Sequence, residues 1–192
     1  MQFRYEKGAN LARGALFYIA DEKSLSYLPS QKNDYSLVLG RTYCTLDILS
    51  ETKEVIQIGG FNPIEHWKKR RLQYPQSSPG RLYVHTEGEL LPGAGNNYGL
   101  NWQTYFDPSA NAICMGEDTD TGGCECITFR KGLVAVLREH ALIAIWGQVT
   151  FYFRDFKKRI PGIYKRAIKC YMQLSEYGRT YATNWRKSNL LL

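Results

Sequence analysis

Apolar and polar positions alternate along most of this chain, and the alternation breaks at short polar turns. A period of two sends successive side chains to opposite faces of a strand. One arrangement occurs three times: a large apolar residue, a polar turn, an apolar returning segment, then glycine. It spans Leu49 to Gly59 (LSETKEVIQIG), Phe106 to Gly116 (FDPSANAICMG) and Leu137 to Gly147 (LREHALIAIWG). The copies share a shape and not a sequence. They start 57 and then 31 residues apart, without the regular spacing of a propeller or solenoid. The pattern predicts antiparallel hairpins turning at 50–53, 107–110 and 138–140.

The same reading extends to the rest of the chain. Short strands are expected at 15–20 and 24–28, around the turn Asp21-Glu22-Lys23. A long strand from Tyr35 to Leu49 contains Gly40, which marks a bend. Pro63 opens one or two helical turns through IEHWKKRRL. After the loop at 73–80 come a strand at 81–85 and the glycine-rich segment 88–99 (GELLPGAGNNYG), expected as a surface loop. Segments 124–129, 133–137 and 141–146 predict a three-stranded meander, with a last strand at 149–153. Beyond Pro161-Gly162 the period changes: Ile163, Ala167, Ile168, Tyr171, Met172 and Leu174 recur at three and four, which predicts a helix capped near Gly178. The expected class is mainly β with an α+β character. Antiparallel hairpins or a meander form a twisted sheet or two packed sheets, and a basic C-terminal helix packs on them.

Charge sharpens the division of the chain. Of the 192 residues, 1–149 hold 15 Lys/Arg against 16 Asp/Glu, and 150–192 hold 10 against 2. The expected organisation is therefore an antiparallel β domain at 1–149 and a basic, aromatic helical element at 150–192. Aromatic residues make up 14% of the chain, and they suit the half-buried faces of sheets. No stretch approaches the roughly 18 apolar residues of a spanning helix. The N-terminus MQFRYEKGANLARG lacks the apolar run of a signal peptide. A cytoplasmic protein without membrane contact is expected. Cys44, Cys114, Cys124, Cys126 and Cys170 are odd in number and scattered, so they read as buried thiols rather than a disulfide framework.

Candidate chemistry is sparse. Cys124, Cys126 and His140 lack the paired spacing of a structural zinc site. Asp118 and Asp120 lie in an acidic loop, 117–123, and Phe129 stands where an EF-hand would need its last carboxylate. No metal and no cofactor are expected. His85 and Glu87 border the glycine-rich segment, and a histidine beside a carboxylate is the minimal unit of acid–base work. His66 precedes Lys68, Lys69, Arg70 and Arg71, four cations in a row. The C-terminal region interleaves Arg159, Lys165, Arg166 and Lys169 with Phe153, Phe156, Tyr164 and Tyr171.

These features point first to a non-enzymatic binding protein with a macromolecular partner, a protein above all. An inhibitor or immunity-type protein against a bacterial toxin is one such kind. The binding residues expected are Lys68, Lys69, Arg70, Arg71, Arg159, Lys165, Arg166 and Lys169, with Asp118 and Asp120. The alternative is nucleic-acid binding through 150–187, where cations meet phosphates and aromatic rings stack on bases. A hydrolase centred on His85 is the third reading.

Overall fold

The computed structural model describes residues 1–8, 11, 13–40, 43–99, 101–117 and 120–152. Fourteen strands occur among them: Gln2–Lys7 (β1), Ala15–Ile19 (β2), Ser24–Leu28 (β3), Tyr35–Leu39 (β4), Tyr43–Ile48 (β5), Val55–Phe61 (β6), Lys68–Lys69 (β7), Ser78–His85 (β8), Gly95–Tyr98 (β9), Gln103–Asp107 (β10), Ala112–Gly116 (β11), Glu125–Arg130 (β12), Leu133–Arg138 (β13) and Ala141–Tyr152 (β14). Their main path is β1-β8-β12-β13-β14-β2-β3-β6-β5-β4-β9, and a branch at β14 adds β11, β10 and β7.

The expected α+β class is corrected to all-β for the described residues. No α-helix occurs among the described residues, whose only helical pieces are the 3-10 turns Ala20–Glu22 and Ile64–His66. The basic C-terminal helix is not among the described elements: the residues expected to form it lie outside those described, and the last described element is a strand. That strand, β14, passes unbroken through the expected boundary at 149/150 as far as Tyr152. The helical turns expected after Pro63 stop at His66, and the chain then runs extended. Stacking Lys68 to Arg71 on one helix would juxtapose like charges at three-residue spacing. Extended backbone sends neighbouring cations to opposite faces instead.

The hairpins predicted by the alternation are present as β2–β3, β5–β6, β10–β11 and the β12–β13–β14 meander. The long strand expected at 35–49 is two strands, β4 and β5, because Gly40 takes a φ of 64° and turns the chain. Four pairs are parallel, β14–β2, β4–β9, β12–β8 and β10–β7, so the sheet is not purely antiparallel. Its two ends meet at the Phe3 and Tyr98 rings, and each is fastened to the β13–β14 hairpin. The Phe3 and Tyr98 rings stand 5.5 Å apart, Phe3 N–H donates to the His140 carbonyl at 2.7 Å, and the Tyr98 hydroxyl donates to the Leu142 carbonyl at 2.9 Å.

Core residues fall in two clusters. The larger gathers Leu37, Leu46, Ile58, Leu82, Phe129 and Ile145 with their neighbours inside the curved sheet. The smaller lies on the opposite face of β11, β13 and β14 and holds Cys114, Val134, Val136, Ala144 and Trp146 under Leu72. Burial on both faces explains why LVAVL and AICM are continuous apolar runs instead of alternating ones. No helix among the described residues is long and apolar enough to cross a membrane.

The glycine of the recurrent pattern falls each time where the returning strand has neighbours on both edges. Gly59 is opposite Thr45 and Ser26, Gly116 opposite Gln103 and Ala144, and Gly147 opposite Leu133 and Ile113. A Cβ on Gly116 would lie 2.5 Å from the Ala144 Cβ and 2.6 Å from the Ile143 carbonyl oxygen, whereas one on Gly59 would meet nothing closer than 3.5 Å. Gly116→Ala is therefore expected to destabilise by about 1–3 kcal/mol through overpacking. Gly59→Ala should stay within about 0.5 kcal/mol of wild type. Urea denaturation of the two variants checks the contrast, and equal midpoints would contradict it.

Candidate functional site

The run from Asn62 to Ser77 places four exposed cations on a sheet edge. Trp67 starts it: its indole N–H donates to Asn62 Oδ1 at 2.9 Å, and its ring packs edge-on against Tyr18 and Phe106 at 4.9 and 5.4 Å. Lys68 and Lys69 then pair with Tyr105 and Phe106 of β10, and the Arg70 N–H donates to the Phe106 carbonyl at 3.0 Å. Leu72 ends the run, buried in the smaller cluster, with its N–H on Asp107 Oδ2 at 2.9 Å. Trp67 belongs to the larger cluster and Leu72 to the smaller. Two apolar anchors on opposite faces thus leave Lys68, Lys69, Arg70 and Arg71 in solvent between them.

Tyr105 lies beside this edge. Lys68 Nζ stands 6.0 Å and the Arg70 guanidinium 5.8 Å from its ring centroid, within cation–π range. After Arg71 the chain crosses the outer face of the sheet as a strap. Tyr74 sets its ring against Trp146 at 5.9 Å and donates its hydroxyl to the Gly132 carbonyl at 3.1 Å, and the Ser77 and Thr128 hydroxyls bond at 2.7 Å. Lys68, Tyr105, Cys114, Trp146, Val134, Thr128 and Pro79 form one cross-strand row. Its six spacings cover about 29 Å. The eleven residue steps from Lys68 to Pro79 reach about 36 Å at full extension. The strap therefore runs extended, with slack only to rise over the side chains beneath it.

The other residues singled out by sequence do not assemble. His85 and Glu87 are exposed, and among the described residues no hydrogen bond or ion pair joins them. The Lys53 ammonium instead ties down that segment by donating to the carbonyls of Thr86 and Gly88, each at 3.2 Å. Asp120 is exposed and accepts the Gly122 N–H at 2.9 Å, which makes it a turn residue. Cys124 and Cys126 are half-buried, and His140 sits in the β13–β14 turn with a φ of 67°. Among the described residues no three His, Cys, Asp or Glu side chains converge on a metal-ion position. Burial pushes the Cys44 thiol up to about 12 and also raises Cys126, with the adjacent Cys124 as the lesser cause. The segment 88–99 is not all loop, because Gly95–Tyr98 forms β9 beside β4. Asp118, Arg159, Lys165, Arg166 and Lys169 lie outside the described residues.

A second polar cluster is internal. The buried Arg130 donates from Nε to the Ile56 carbonyl at 2.5 Å, from Nη1 to the Phe129 carbonyl at 3.2 Å and from Nη2 to Glu54 at 3.3 Å. Its donors are spent on fastening β12 to β6, so it offers a ligand little. Tyr105, Asp107 and Asn62 carry no charge run or motif that marks them in the sequence as site residues. Only the Asx-type turn Asp107-Pro108-Ser109 carried a local signal, since Asp107 also accepts from the Ser109 N–H and hydroxyl at 2.8 and 2.6 Å.

Asp107 supplies a pH test of the anchor. Hydrogen bonds from the Ser109 hydroxyl and then the Leu72 N–H lower its pKa from 3.8 to about 2. A carboxylate whose folded pKa lies below the unfolded one stabilises fully above the unfolded value, and that contribution fades as pH falls through the folded one. Asp107→Asn should thus cost stability at neutral pH, and its deficit relative to wild type should shrink as pH falls from about 4 towards 2. Denaturation midpoints across that range measure the difference; a deficit constant with pH would contradict the assignment. No protein-family model matches the chain, and no curated protein sequence matches it either.

Proposed function

We propose that this chain is a non-enzymatic binding protein that presents the Lys68–Arg71 edge to an acidic surface of a partner protein. One observation carries the reading: four successive cations stand exposed on a sheet edge, fixed between Trp67 and Leu72. Lys68, Lys69 and Arg71 have no ion-pair partner among the described residues. Like charges this close repel one another in a way that water and salt only screen. An opposing acidic surface relieves that repulsion, speeds encounter and fixes orientation. An inhibitor or immunity-type protein acting on a bacterial toxin is one role that suits such a scaffold, and the toxin surface it meets would then be acidic.

The same cations support a second reading, single-stranded nucleic acid, because Tyr105 offers a ring beside them. Base stacking needs a free ring face. Lys68 and Arg70 already lie over the Tyr105 ring, so a base would first have to displace them. This favours the protein partner.

Fluorescence anisotropy at low salt separates the two, with a poly-glutamate peptide and a single-stranded oligonucleotide of matched charge as probes. The acidic-protein reading predicts that the peptide binds, that salt weakens it, and that Lys68→Glu, Lys69→Glu and Arg71→Glu together weaken it on the order of tenfold or more. Tighter binding of the oligonucleotide would transfer the edge to nucleic acid. Peptide affinity unchanged in the triple variant would remove this edge from the account.

A further inference from the structure

We propose that the outer edge of β7 takes an extended acidic segment of the partner as an added strand. The segment would be held by main-chain hydrogen bonds to Lys69 and Arg71 and by carboxylates against Lys68, Lys69 and Arg71. This rests on the acidic-partner reading of the same edge and specifies how the partner is gripped.

The direction of the hydrogen bonds carries the inference. Successive residues of a strand turn their N–H and C=O groups to opposite edges. Arg70 N–H donates to the Phe106 carbonyl, so Lys68 and Arg70 face β10. Leu72, two residues on, also directs its N–H to that side, onto Asp107. Lys69 and Arg71 therefore turn their main-chain groups away from the sheet. β7 pairs with β10 alone, and the main chain of Lys69 and of Arg71 has no hydrogen-bond partner among the described residues.

An edge with unpaired N–H and C=O groups is a template for another strand. The two ends of the long strand path are less available. On β1 the Phe3 N–H is already bonded to the His140 carbonyl, and β9 (GNNY) carries no cation that would select an acidic strand. Lysine on an edge discourages indiscriminate pairing. The same charge selects a strand that carries carboxylates, because attraction to one partner and repulsion of others act together. Lys68 and Arg70 project to the Tyr105 face, and Lys69 and Arg71 to the opposite one. A partner strand with acidic residues at consecutive positions thus meets cations on both faces. In strand addition the main chain supplies affinity and the side chains specificity.

The test compares two substitutions at one position, again with the poly-glutamate peptide read by anisotropy. Proline is tolerated in an edge strand where its missing N–H would face solvent, so Lys69→Pro spares the pairing with β10. Lys69→Ala removes the same charge and keeps the N–H. Strand addition predicts that Lys69→Pro binds the peptide several-fold to about tenfold more weakly than Lys69→Ala. Equal affinities in the two variants would overturn strand addition and leave the acidic-surface reading standing. No peptide binding to the wild-type protein, or none lost on charge reversal, would overturn both. If circular dichroism shows that Lys69→Pro has lost the sheet, wild-type protein is titrated with the peptide N-methylated at alternate residues. Binding equal to that of the unmethylated peptide would then overturn the proposal.

Discussion

The amide of Asn62 is the fixed point from which the basic edge is placed. Its side chain is fully buried, and each polar atom is paired. Oδ1 accepts from Trp67 Nε1 at 2.9 Å and from the Thr104 hydroxyl at 3.2 Å, Nδ2 lies 3.3 Å from Met115 Sδ, and its N–H donates to the Lys23 carbonyl at 2.8 Å. One residue thus connects the β2–β3 turn, the end of β6, the approach to β7, and β10 with β11. Buried polar groups must be satisfied, and their bonds are directional. Apolar packing around them tolerates substitution and small displacements much better. Asn62 therefore sets the register at which Trp67 enters, and Trp67 sets where Lys68 begins.

The second constraint is length. Between β7 and β8 the strap has to cross the outer face of a sheet about six strand spacings wide, roughly 29 Å. A helix over the same residues would rise only about 1.5 Å per residue and could not span it. The crossing explains why a highly charged segment, which sequence alone reads as helical turns, is extended. It also explains why β11, β13 and β14 are apolar on both faces: Leu72 and Tyr74 of the strap cover the side that would otherwise meet water. The exposed cations are the part of the crossing segment that lies at the edge, beside Tyr105 of β10.

How much of this is legible in sequence follows the range of each interaction. The hairpins at 15–28, 43–58, 103–116 and 125–146 depend on local alternation and on turn residues, and both are written in consecutive positions. The parallel pairs depend on segments far apart in the chain. β9, read from GNNY, has almost no apolar signal and exists because it lies beside β4. β1 has a short alternation at Phe3 and Tyr5, too brief to stand out. At the candidate site, Lys68–Arg71 was visible as a charge run, but its extended conformation is imposed by Trp67, Asp107 and the strap. Asn62 reads locally as a residue before proline, and nothing in its neighbourhood reveals that it will be buried. The His85–Glu87 pair shows the reverse case, closeness in sequence without contact in space.

The basic run is an edge strand with alternate residues facing outward. Residue-resolved amide hydrogen exchange across 68–72 tests it most directly. Slow exchange is expected at Arg70, bonded to Phe106, and at Leu72, bonded to Asp107, with fast exchange at Lys69 and Arg71. Uniform protection across the run, or exchange at Arg70 as fast as at Lys69, would contradict it.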